Sequence, residues 1–443
     1  MSRLPQIARS SLLVLVLAAV TAASADTRRP GAAGLQPASP ETVGLSLERL
    51  KRLDAAMQGP IDRGEIAGVV TLAARHGKLV HSRAYGKQDV ASGKPMPTDA
   101  IFRIYSMTKP VIGVAMMILY EEGKWHPEDP VAKFVPQFAN LKVFAGLDAK
   151  GQPILEAPAH PPRMEELMTH TAGFTYGVFG DTWVDQQYEK QGVVSRETFI
   201  FETANLQEMI DKLAKIPLLY QPGTHWQYSV SVDIQAYIVE RLAGKTLPEF
   251  LRERIFTPLG MRDTDYFVPA NKASRLATFY QFDPKTNALV VRDQPQDPKL
   301  MPSMTPGGFG LFSTAMDFLR FSQMLLNAGE LDGVRILAPR TVALMRSNHV
   351  PELLRNQASE GAFRIMRPGI GFGYDFGVFM DPMLAGDLSG DGTYYWMGAA
   401  QTWFWVDPQL DVVFVGMTQR WFDARLVEPS RATFYQALID PAK

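Results

Sequence analysis

The stretch QTWFWVDPQLDVVFVGMTQ, residues 401–419, decides how this chain folds. Trp403–Val406 and Val412–Val415 are runs of aromatic and β-branched residues, and Asp407-Pro408 between them signals a turn, so the stretch reads as a β-hairpin. A matching pattern lies near the other end of the chain. In AGVVTLAARHGKLVHSRAYG, residues 67–86, two such runs flank His76-Gly77. Between these ends the apolar spacing is mostly helical, with candidates at 106–122, 163–169, 207–215, 231–243, 247–256, 314–328 and 339–346. Ser46 reads as the N-cap of an earlier helix carrying Leu47, Leu50, Leu53 and Met57 at helical spacing. Strands at both ends with helices between predict an α+β chain. Its simplest closure joins the two hairpins in one antiparallel sheet and leaves the middle as a mainly helical insertion. The boundaries that follow are 43–105 with 310–443 for the sheet domain, and 106–309 for the helical one.

The chain has 443 residues, a formal net charge of -1 and no cysteine. Its length suffices for a large core and two to three domains of ordinary size. The charge balance gives no reason to expect nucleic acid or an anionic membrane surface as partner. Disulfides, thiolate metal sites and a cysteine nucleophile are excluded. The seven histidines show no ligand spacing such as HExxH, so no cofactor is expected. Asp387–Gly392, DLSGDG, looks like the start of a calcium loop, but its twelfth position falls on Gly398 and not on a glutamate. It reads as a turn-rich loop. The N-terminal MSRLPQIARSSLLVLVLAAVTAASA has basic Arg3 and Arg9, an apolar run from Leu12 to Val20 and the small residues Ala23-Ser24-Ala25. This is the pattern of a signal peptide cut after Ala25, which predicts a periplasmic or secreted protein with no integral membrane association after cleavage. Residues 26–42, rich in Pro, Ala, Gly and Ser, read as a linker arm.

Candidate chemistry begins in FRIYSMTKPVIGVAMMILY, residues 102–120. From Val111 to Tyr120 the helix has no polar face, so it should be buried. Pro110 fits its first turn, where the backbone N–H has no helical partner. Ser106 and Lys109 are three residues apart and share a face. A serine hydroxyl needs a base to become a nucleophile. Burial and the positive end of a helix dipole both lower a lysine pKa and make it able to serve. The same residues are compatible with a capping serine and a lysine that reaches for water. Two further segments add candidates. Tyr228, on the loop before the helix at 231–243, could relay protons to such a pair or be a core tyrosine. Gly398-Ala399-Ala400 has small residues that let a backbone N–H approach a substrate, or simply pack tightly.

Taken together, these segments resemble the serine β-lactamase and penicillin-recognising superfamily, in particular class C-like serine hydrolases that include family VIII carboxylesterases. The resemblance runs from about residue 40 to 435 and rests on ordered motifs. They are Ser106-Met107-Thr108-Lys109, LMTHTAGF at 167–174, Tyr228-Ser229-Val230, TPLGMRDT at 257–264, GGFGLFSTAMDFLRF at 307–321 and WMGAAQTWFWVDP at 396–408. It implies an α/β sandwich domain beside a helical domain, with the site in the cleft between them. It also implies Ser106 as acyl-forming nucleophile, Lys109 as its base, Tyr228 as partner in proton transfer, and the N–H groups of Ser106 and Ala399 as the oxyanion hole.

Two departures from the family pattern bear on substrate. Val230 stands where the family has asparagine, and Trp396-Met397-Gly398 stands where it has Lys-Thr-Gly. The lost polar groups are those that hold the carboxylate and acylamide of β-lactams and peptide termini. The expectation is a carboxylesterase acting on a small-molecule ester with a short to medium acyl chain, with Tyr105, Tyr176, Phe309, Trp396 and Gly398 at the substrate. The competing readings are a β-lactamase, D-amino-acid peptidase or amidase of the same fold, and a penicillin-binding-like module that does not turn over.

Overall fold

Residues 68–75 and 412–418 lie side by side at the centre of one sheet. The strand order is Gln36–Pro37, Lys78–Asp89, Gly68–Arg75, Val412–Thr418, Thr402–Asp407, Tyr394–Gly398, Gly377–Phe379 and Ile370–Phe372, and Lys94–Pro95 also pairs with Lys78–Asp89. Every pairing is antiparallel except that of Gln36–Pro37. This computed structural model describes residues 35–292, 294, 296–356 and 366–440. The expected signal peptide, its cleavage site and the first part of the 26–42 arm lie outside the described residues.

Alternation along the central strands sorts side chains onto two faces. Val69, Ala73, Trp403, Trp405, Val412 and Phe414 point to one side, where Leu50, Leu53 and Met57 of helix Leu47–Asp62 and Phe434 of helix Val427–Tyr435 cover them. Val70, Leu72, Phe404, Val413, Val415 and Met417 point to the other side, under Phe318 and Phe321 of helix Ala315–Leu326 and the helix Thr108–Glu121. Each such side chain buried contributes roughly 1.5–3 kcal/mol. With both faces covered, these strands read as nearly continuous apolar runs. Gly416 lies opposite Trp403, and a Cβ on it would come within 2.1 Å of the indole, so the largest side chain faces the smallest.

Several expectations need correcting. Gln36–Pro37 belongs to the sheet, pairing with Lys78 and Leu79, and Val43 is buried, so the end of the arm is held in place. The middle of the chain also contains hairpins, Val143–Leu147 with Pro153–Glu156 and Tyr280–Asp283 with Ala288–Val291. Both are set by local turn chemistry. Asp148 accepts from the N–H groups of Lys150 and Gln152, and Asp283 accepts from Lys285 and Thr286. Residues 247–256 are helical only to Leu251 before a π-helical turn at Arg252–Phe256. Among the described residues no helix is long and apolar enough to cross a membrane.

Candidate active site

The helix Thr108–Glu121 is buried from Thr108 through Leu119, and one 3-10 turn, Tyr105–Met107, precedes it. The chain enters this turn through Tyr105 at φ 44°, a left-handed conformation rare for an aromatic residue. The turn is clamped from two sides. Ile104 donates to the Leu311 carbonyl at 3.0 Å, and the Ile104 carbonyl accepts from Thr402 Oγ1 at 3.1 Å. Gly398, last residue of its strand, makes this approach possible: a Cβ there would come within 2.2 Å of the Ile104 oxygen. Ala399 follows in a turn fixed by its own carbonyl, which accepts from Phe422 N–H at 2.8 Å. The small residues therefore sit at the end of the strand Tyr394–Gly398 and in the turn that follows it.

Ser106 Oγ accepts from the Tyr228 hydroxyl at 2.9 Å, and Lys109 Nζ lies 3.3 Å from the same oxygen. Lys109 is fully buried. Its ammonium donates to the Gly308 carbonyl at 2.8 Å and to the Tyr176 hydroxyl at 3.3 Å, and lies 4.6 Å from the centre of the Tyr228 ring. Burial brings its pKa down to about 7, while the carboxylates of Asp233 and Asp375 work in the opposite direction. The Tyr228 phenol is pushed up by burial, an effect its hydrogen bond to Ser106 opposes.

Under the lysine lies a carboxylate that no sequence pattern singled out. Asp233, in the first turn of helix Ser231–Ala243, accepts from Gly308 N–H at 2.7 Å and from Tyr176 at 3.3 Å. Burial raises its pKa to about 6, against the pull of Lys109 and of the Gly308 N–H. In sequence it resembles an ordinary acidic residue complementing a helix N-terminus. The signal available was its position on a helix whose other early residues are almost all buried. Asp375 is a second buried acid, held by Gln235 Nε2 at 3.1 Å and pushed well above the carboxylate range by burial.

The remaining expected site residues fall in different places. Tyr176, read from the sequence as a pocket residue, is buried, and its hydroxyl is taken up by Lys109 and Asp233. Tyr105 and Phe309 border a cavity of about 80 Å³ together with Phe201, Met304 and Leu311, and Phe309 stacks on Phe201 at 5.4 Å. The Trp396 ring packs 5.8 Å from that of Tyr228. Asp387, the first residue of the calcium-like loop, pairs with Arg431 at 2.6 Å. A serine oxygen approached by a phenol donor and by an amine that burial drives toward neutrality can act as a nucleophile toward a carbonyl carbon.

The Beta-lactamase family model matches residues 53–436. Protein Rv1367c of Mycobacterium tuberculosis is 34% identical over 375 residues, which cover 82% of this chain and 88% of that protein. Esterase EstB of Burkholderia gladioli is 30% identical over 393 residues, 84% of this chain and 91% of the esterase. Among solved structures, EstCE1, described as a hydrolase with promiscuous acyltransferase activity, superposes with a TM-score of 0.73 at 28% identity, covering 87% of this chain and 98% of EstCE1.

Proposed function

Because this chain belongs to the beta-lactamase family and is a serine hydrolase of that fold, we propose that it is a carboxylesterase that cleaves short- to medium-chain esters through an acyl-enzyme on Ser106. The observation that carries this reading is the convergence of Tyr228 and Lys109 on one serine oxygen. Ser106 Oγ attacks the ester carbonyl carbon as its proton passes to the neutral Lys109 amine. The developing oxyanion is held by the N–H groups of Ser106 and Ala399. The intermediate collapses, the bond to the alcohol oxygen breaks, and the Tyr228–Lys109 pair returns a proton to that oxygen. Water then attacks the acyl carbon, the acid leaves, and Ser106 regains its hydrogen. Trp396 and Val230 support a neutral ester, since neither offers a charge or amide to a carboxylate or acylamide group, while Met397 packs on the opposite face of the sheet. The esterase name of one relative supports the same substrate class.

The test compares the wild-type enzyme with Ser106→Ala on a short-chain aryl ester and a chromogenic cephalosporin, with intact mass after a serine-directed phosphonate. The expected result is ester turnover at least about a thousandfold lower in the variant, and a single adduct on Ser106. Ester turnover that survives the alanine would refute the assignment, and a cephalosporin turned over faster than the ester would move it to the β-lactamases. We further propose export by a cleaved N-terminal signal. Recovery of protein starting at Asp26 from outside the cytoplasm would support it, and an intact Met1 on the secreted fraction would not.

A further inference from the structure

Two arginines stand beside the serine turn with no carboxylate to balance them. Arg103, three residues before Ser106, borders the cavity that Tyr105 and Phe309 also line. Its main chain is held on both sides by Gln419, whose Oε1 accepts from Arg103 N–H at 3.2 Å and whose Nε2 donates to the Arg103 carbonyl at 3.1 Å. The Arg103 guanidinium lies 5.2 Å from the centre of the Phe312 ring, and the two residues face each other across the strands Phe102–Arg103 and Phe312–Ser313. Arg292 lies over the Trp421 ring at 4.2 Å, and Trp421 lies 5.3 Å from Tyr105. Its Nη1 donates to Gln281 Oε1 at 2.7 Å, but its Nε is buried without an acceptor. Both arginines are half-buried.

Other arginines withdrawn from solvent are not left so. Arg75, Arg275, Arg320 and Arg431 each meet an aspartate. Burial lowers the pKa of Arg103 and of Arg292, and among the described residues only the Tyr105 phenol opposes it, with no carboxylate acting on either. Both guanidinium groups in turn act on that phenol, so the three come together at Tyr105. Asp297 also borders the cavity, but it is exposed and accepts from Lys299 N–H at 2.9 Å. A guanidinium taken out of water without a counter-charge costs free energy that an anion brought to it would offset. Its planar fork fits a carboxylate. The Cα atoms of Arg103 and Ser106 are at most about 11 Å apart, the span of three extended residues, so one ligand can reach both.

We infer that Arg103 and Arg292 form a binding site for a carboxylate that the substrate ester carries away from the carbonyl attacked by Ser106. This rests on the ester-hydrolase reading above and narrows it. The ester bond itself is met by the neutral side chains Trp396 and Val230, and the distant anion is met at Tyr105.

The test uses two pairs of esters whose members differ only in whether that carboxylate is free or methylated. On the acyl side they are 4-nitrophenyl hydrogen suberate and its methyl ester. On the alcohol side they are 3-(4-acetoxyphenyl)propanoate and its methyl ester. Phenol release is followed at about pH 8, where the acids are ionised, with wild type, Arg103→Gln, Arg103→Lys and Arg292→Gln, and active sites are counted by phosphonate titration. In wild type the free acid should exceed its methyl ester in kcat/KM by about tenfold in at least one pair, and that pair identifies the side of the ester that carries the charge. The ratio should fall about tenfold in Arg103→Gln, fall in Arg292→Gln and recover in part in Arg103→Lys, and in wild type it should shrink at high salt. Ratios near one in both wild-type pairs, or a ratio that the two glutamine variants leave unmoved, would overturn the inference. Equal losses on acid and methyl ester would show that the arginines only support the serine turn, and would overturn it as well. Each of these results leaves the esterase reading intact. Absence of Ser106-dependent turnover of all four esters would overturn both.

Discussion

Lys109 Nζ donates to the Gly308 carbonyl at 2.8 Å, a closer contact than the 3.3 Å between Nζ and Ser106 Oγ. The carbonyl holds the amine in place without neutralising it, and burial then favours loss of its proton. A base must be unprotonated to accept the serine hydrogen, so activity needs the form that dominates above the Lys109 pKa. On a neutral ester kcat/KM should therefore rise with pH through about 7 and level off above it. Lys109→Arg, which cannot deprotonate, should lose about a thousandfold across the whole profile. A profile flat from pH 5 to 9 in the wild type would remove Lys109 as the base.

Asp233 sits on the opposite side of this balance. Its negative charge favours the protonated lysine, so Asp233→Asn should lower the Lys109 pKa further. The acid limb of the pH profile should move down by about one unit. The plateau should fall about tenfold, because the contacts to Gly308 N–H and the Tyr176 hydroxyl are disturbed. The same pH series checks both, and an unmoved limb would mean that Lys109 does not sense the carboxylate.

Tyr228→Phe removes the hydroxyl that reaches Ser106 but keeps a ring in place beside Trp396 and Tyr176, whose rings lie 5.8 Å and 5.4 Å away. Steady-state kcat should fall by about a hundredfold to ten-thousandfold while the melting temperature stays within a few degrees. Kinetics and a thermal melt on the same preparation separate the two effects.

Gly398→Ala places a methyl group within 2.2 Å of the Ile104 oxygen and 2.5 Å of Thr402 Oγ1. The strand end and the serine turn would have to part, at a cost of about 1–3 kcal/mol. In a unit of this size that corresponds to a fall in Tm of roughly 1–4 °C. The serine and the Ala399 turn would separate by the same displacement, so esterase activity should fall by more than the loss of folded protein. A thermal melt and an active-site titration measure the two losses.

The central hairpins and most long helices were legible because each is written in a local period, alternation across a strand or 3.6 residues around a helix. Ile370–Phe372 and Gly377–Phe379 have three residues each, too few to display alternation, and are strands because Tyr394–Gly398 gives Gly377–Phe379 an edge and Gly377–Phe379 in turn gives one to Ile370–Phe372. The helix Val427–Tyr435 has nine residues, fewer than the window over which a helical period stands out.

By itself the sequence determined that Ser106 and Lys109 stand one turn apart on a helix with no polar face, because three residues of separation fix that proximity. Tertiary structure alone decided what surrounds them. Tyr176, Gly308 and Tyr228 reach the pair across 67, 199 and 122 residues, and no period in the chain encodes such distances. Burial is likewise a property of the assembled fold: a lysine becomes a base only after helices and sheet have closed over it and removed the water that would keep it charged.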